Sequence, residues 1–166
     1  MKTLILRRVI PIVAIALALS TQGAAQGSTA HTLEGLVHHY TAALDAAGPW
    51  HISGEWDIKV KGDSGRADFA AALAMVRSDN PVRQPHTHHV TIDDGTFALT
   101  ATGFSINGLA TVTGNGNMSF TSLVDVLVTG GNALAHSNIS VRFLGAPGIA
   151  HFGAEPLQGV VTRETP

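Results

Sequence analysis

From Trp50 onward the chain repeats with a period of two, and this restricts it to strand-built folds. Trp50, Ile52, Trp56, Ile58 and Val60 share one face, while His51, Ser53, Glu55, Asp57, Lys59 and Lys61 share the other. Alternate side chains of a strand point to opposite faces, so this segment is a half-buried strand with one wet face. Gly62-Asp63-Ser64-Gly65 supplies the turn that follows. Residues 66–77 continue the alternation, with Ala67, Phe69, Ala71, Leu73 and Met75 on one face. Their other face carries Ala70, Ala72, Ala74 and Val76, and a strand apolar on both sides needs cover on both sides.

Further strands are expected at 86–95, 96–102, 104–113, 117–129, 138–144, 149–153 and 157–163. Asp93-Asp94-Gly95 reads as a hairpin turn, because Gly tolerates a positive φ. Gly/Asn-rich turns at 113–117 and 129–132 separate the later strands. About eight short strands at regular spacing predict a single all-β domain, an antiparallel β-barrel or sandwich. A barrel disposes of edge strands and leaves a mouth where polar groups gather.

One helix is expected, at 31–47. Leu33, Leu36, Val37, Tyr40 and Leu44 follow helical spacing, and Gly48-Pro49 would stop it. Packed outside the barrel, it would cover the alanine face of 66–77.

Residues 1–25 have the layout of a signal peptide. Lys2, Arg7 and Arg8 precede the apolar run Val9 to Leu19, and Gly23-Ala24-Ala25 offers a cleavage site. The run is short for a membrane span. The mature domain, 26–166, is therefore expected to be secreted or periplasmic, with no membrane span. The chain has no cysteine, so it can be neither a lipoprotein nor a disulfide-stapled domain. Three of its ten Lys/Arg residues lie in the first eight positions, leaving seven against twelve Asp/Glu. That balance argues against a nucleic-acid partner. Gly-x-Ser-x-Gly is absent, and Gly114-Asn115-Gly116 lies in a β-turn, which excludes a dinucleotide loop.

The chemistry concentrates in His86-Thr87-His88-His89. His86 and His88 share the face of Val90 and Ile92, and His89 points the opposite way with Thr91 and Asp93. Two inward imidazoles at one end of a strand suit a transition metal: zinc, copper, nickel or iron. His151, in the tight apolar stretch 146–153, is the preferred third ligand. His136 and then Asp125 rank behind it. The reading is of an exported barrel binding a small ligand or a metal ion through inward histidines. A non-catalytic envelope or interaction protein with structural histidines is the alternative that composition leaves open.

Two short segments resemble cupins, small β-barrels with a metal-binding His-x-His motif. His86-Thr87-His88 is followed by Asp93, and Gly148-Ile149-Ala150-His151 is similar to the end of the second cupin motif. Asp stands where cupins carry Glu, Pro147 is one place too close to Gly148, and Glu155 stands where an Asn is expected. The resemblance implies His86, His88 and His151 as metal ligands, Asp93 as a fourth, and a metal-dependent oxygenase or isomerase. Gly54-Glu55-Trp56 resembles the Gly-x-Trp of lipocalin-type barrels. That second resemblance implies an apolar ligand cavity, for which Trp56, Phe69 and Phe104 are the candidate lining residues.

Overall fold

The computed structural model describes residues 31–41, 49–82, 84–130 and 138–166. The expected signal peptide, residues 42–47 of the expected helix, and His136 lie outside the described residues. Eight strands form the fold: β1 (His31–Tyr40), β2 (Trp50–Val60), β3 (Arg66–Arg77), β4 (His86–Thr100), β5 (Gly103–Gly114), β6 (Ser119–Thr129), β7 (Asn138–Phe143) and β8 (Leu157–Thr165). Among the described residues one α-helix, α1 (Ala146–Phe152), interrupts the connection between β7 and β8. Each strand pairs antiparallel with its neighbours in sequence, and β8 pairs back onto β1, so the sheet closes into a barrel. The choice between barrel and sandwich is thereby settled as a barrel. No helix among the described residues is long and apolar enough to cross a membrane.

The interior is filled by side chains from every strand. Ile52, Ile58, Phe69, Met75, Ile92, Ile106, Val112, Val126 and Ile139 are all fully buried. Burial of each such side chain contributes roughly 1.5–3 kcal/mol, and in a cysteine-free chain this core carries the stability. Trp56 is buried beneath Gly35, where an added Cβ would come within 2.5 Å of the indole ring. That close approach explains why a glycine faces it across the β1–β2 ladder.

Four expectations are corrected. Residues 31–40 are a strand, not a helix. Leu33, Gly35 and Val37 are buried on its inner face, while Leu36 and Tyr40, counted toward a helical stripe, are exposed on the outer one. Hydrogen bonding to both β2 and β8 closes the barrel, and this outweighs a short helical pattern that has no partner of its own. The outer alanines of β3 are thus not covered by a helix from 31–47. Ala70 and Ala72 instead help line an external groove of about 670 Å³.

Asp93-Asp94-Gly95 is not a hairpin turn. β4 runs through it as one strand with a bulge, where the register to both β3 and β5 shifts. Asp94 takes a left-handed φ of 60°, and its amide donates to Asp68 Oδ1 at 2.7 Å. Lys61 bridges the two carboxylates, 2.7 Å from Asp68 and 3.2 Å from Asp94. Bulges bend a strand and sharpen its twist, which suits a long strand in a closed barrel. The segment expected as a strand at 149–153 is α1. Pro147 sits in the first turn, where its missing N–H costs nothing, and Gly153 ends the helix at φ 93°.

Candidate metal centre

One end of the barrel is formed by the starts of β2, β4, β6 and β8 and the ends of β1, β3, β5 and β7. β4 begins there with His86 and His88. Their cross-strand partners on β3 are Met75 and Leu73, which face the core. His88 is 1% exposed, while His86 is half-buried at the rim and His89 is exposed on the outer wall. The alternation expected from the sequence is therefore observed.

Across the ladder from His88 stands Gly114 on β5. A Cβ at that position would lie 2.7 Å from His88 Nδ1 and 2.9 Å from its Cε1. The glycine leaves the space that the imidazole occupies. Gly114 has an extended backbone at φ −154°, so this requirement is for room and not for conformational freedom.

The third imidazole arrives from the opposite side. α1 presents Gly148, His151 and Phe152 on one face, with the helical spacing of three and four. Phe152 is fully buried and stacked on Phe143, ring centroids 4.3 Å apart. Gly148 sits so close to β6 and β7 that a Cβ would lie 2.6 Å from both Ser122 Oγ and the Phe143 ring. A seven-residue helix has little stability of its own, so this docking is what holds α1 in place. It directs His151 inward, and His151 Nε2 lies 2.7 Å from His88 Nε2.

His86, His88 and His151 form a group whose candidate ligand nitrogens all lie within 4.8 Å of one another. The ring tautomers follow from their other contacts. His86 Nδ1 lies 2.8 Å from the Gln84 carbonyl oxygen, and His88 Nδ1 lies 3.3 Å from that of Thr113. A carbonyl can only accept, so each Nδ1 carries the proton and donates. In the neutral rings each Nε2 is then a bare lone pair. His86 Nε2 is buried and makes no hydrogen bond in the structure. Burial, reinforced by the neighbouring His151 and His86, pushes the His88 pKa down to about 4. Burial and the nearby His86 also lower that of His151. Both rings are thus held in the neutral form that binds metal.

The surroundings are largely aromatic. Trp50 meets His86 edge-on with centroids 4.9 Å apart, Phe152 meets His88 at 5.3 Å, and Phe120 lies 6.2 Å from His151. The three-histidine group contains no carboxylate. Asp93, the fourth ligand implied by the cupin resemblance, is exposed and outside the group. Asp125 is on the outer face of β6, between Asn107 and Arg142 in the register of the neighbouring strands. Of the residues suggested for an apolar cavity, Trp56 and Phe69 are buried in the core. Phe104 is only partly buried, tilted against Phe97 at the far end of the barrel.

His39 was not anticipated at this mouth. It lies on the inner face of β1, in register with Ile52, Met75 and His86 across successive strands. Its Nε2 is buried without a hydrogen bond in the structure, and burial lowers its pKa against the opposing charge of Glu155. The period-two series Leu33, Gly35, Val37, His39 was the available signal, and the helical reading of 31–47 obscured it.

Fold and site together define a closed eight-stranded antiparallel β-barrel with a three-histidine group at one mouth that can hold a metal ion. The likeness to cupins is accordingly loose, extending to a barrel and a histidine triad. Family models, curated proteins and solved structures give no match to the chain.

Proposed function

We propose that this protein is an exported barrel that binds one transition-metal ion through His86, His88 and His151. The observation that carries the reading is the convergence of three ring nitrogens, above all the 2.7 Å approach of His151 Nε2 to His88 Nε2. Without a metal, a shared proton must hold that pair together, while His86 Nε2 stays buried and unsatisfied. Leaving a buried polar atom without a partner costs about 1–3 kcal/mol, and a metal ion satisfies all three nitrogens at once. A tetrahedral ion with bonds of about 2.0–2.1 Å to nitrogen needs ligand spacings of about 3.4 Å. The candidate nitrogens of the three rings lie within 4.8 Å of one another, within reach of that spacing.

Three histidine ligands leave a fourth coordination position for a further side chain, a small ligand or a substrate. The carbonyl oxygens of Gln84 and Thr113 orient the rings from behind, as outer partners do in metal centres. Export is supported by the basic and apolar segments of residues 1–25. Elemental analysis of the purified chain tests the binding reading. The expected result is about one metal ion per chain, lost in His88→Ala and in His151→Ala. Metal-free wild-type protein that takes up no zinc, copper, nickel or iron on titration would show the histidines to be structural.

A further inference from the structure

Resting on that metal-binding reading, we infer that the site is selective for copper in its monovalent form, with the thioether of Met118 as a fourth, soft ligand. The chain has no cysteine and three methionines, and the two beyond Met1 both stand against site histidines. Met75 is fully buried and directly opposite His86 across the β3–β4 ladder. Residues so paired have Cβ atoms about 4.5–5.5 Å apart. Met118 follows the turn at Asn115–Asn117, and its methyl group and the Nδ1–Cε1 edge of His88 both border the space above Gly114. A Cβ on Gly114 would lie 2.7 Å from His88 Nδ1, 2.9 Å from His88 Cε1 and 3.0 Å from Met118 Cε. The thioether sulfur is one bond from that methyl, and Cε1 of His88 is one bond from the metal-facing Nε2. Met is unbranched with three rotatable bonds, so rotation about the first two repositions the sulfur without moving the backbone.

Charge points the same way. Three neutral imidazoles cancel none of the ion's charge, and no carboxylate belongs to the group. The Born cost of placing an ion among Trp50, Phe120 and Phe152 rises with the square of its charge, so a dication costs about four times as much as a monocation of equal size. Thioether and imidazole are also ligands that suit Cu(I), whereas divalent ions preferring oxygen find none in the group. Zinc held by three imidazoles takes a water or hydroxide as its fourth ligand, which would leave the thioether idle.

The test is an anaerobic competition of the full chain against a chromophoric Cu(I) chelator, with a parallel zinc competition. Wild type, Met118→Leu and His88→Ala are compared. Met118→Leu keeps the volume and removes the sulfur. It should weaken Cu(I) binding by about tenfold or more while leaving zinc affinity within about twofold. X-ray absorption of the wild-type Cu(I) complex should show one sulfur scatterer beside the nitrogens, absent in Met118→Leu. An unchanged Cu(I) affinity, or an equal loss for both metals, would overturn the thioether assignment while leaving the histidine site standing. Wild-type protein that binds neither metal would overturn the histidine site as well.

Discussion

His88 and His151 are 63 residues apart in sequence, yet their Nε2 atoms lie 2.7 Å apart at the mouth of the barrel. One ring is planted in the wall at the start of β4, and the other is carried over the mouth by α1. The contact therefore reports whether the β7–β8 connection is docked, and the three-histidine group is assembled only when it is.

Metal loading should consequently stabilise the fold. A ligand that binds only the folded state at a concentration 100-fold above its Kd adds about 2.7 kcal/mol. Thermal unfolding of the stripped protein should shift upward by several degrees on adding stoichiometric metal with a modest excess. No shift should occur in His151→Ala.

Gly114→Ala tests the space allotted to His88. The new methyl group would meet the ring at Nδ1, where it donates to Thr113, and would press on Met118. Overpacking of this kind costs about 1–3 kcal/mol. Calorimetric titration should show metal affinity reduced by about tenfold or more, with the barrel still folded by circular dichroism.

Gly148→Ala acts from the other side. Its Cβ would collide with Ser122 Oγ and the Phe143 ring and lift α1 from β6 and β7. His151 moves with the helix, so metal affinity should fall and protease sensitivity should rise between β7 and β8. His89→Ala is the matched control on the outer wall. It should leave metal affinity unchanged and stability within about 0.5 kcal/mol.

The metal-free barrel should lose stability as the pH falls from about 6.5 to about 4. In the unfolded chain His88 takes up a proton near its ordinary value of 6.5, whereas in the barrel it resists until about 4. Between those values the unfolded state binds more protons, so unfolding is favoured by acid. The contribution is fully present above 6.5 and is lost on descent. Its upper limit is about 3 kcal/mol, set by the size of the shift. Chemical denaturation of wild type and His88→Phe at pH 7 and pH 4.5 measures it, and the dependence should shrink in the variant.

The inward pair on β4 was legible because strand alternation is a property of the local backbone. Once residues 86–92 are extended, His86 and His88 must share the face of Val90 and Ile92. The strands β2, β3, β5, β6 and β7 were legible for the same reason, and so was the outward direction of His89. The bulge at Asp94 was not, because Asp-Gly marks a positive φ without saying whether the chain turns back. There the decision rests on Asp68 and Lys61, which are distant in sequence and hold the bulged strand in line.

The sequence by itself determined a β-built, cysteine-free fold and an inward histidine pair, because two-residue periodicity needs no partner to be expressed. The tertiary structure decided the segments whose local signals were short or mixed. Residues 31–40 carry apolar residues compatible with either period, and the open edges of β2 and β8 made them a strand, since the unpaired backbone groups there required hydrogen-bond partners. Residues 146–152 are too few to hold a helix alone, and the groove at Ser122 and Phe143 stabilised one there. Closure of the barrel and docking of that helix brought His151 to His88, which no local pattern encodes.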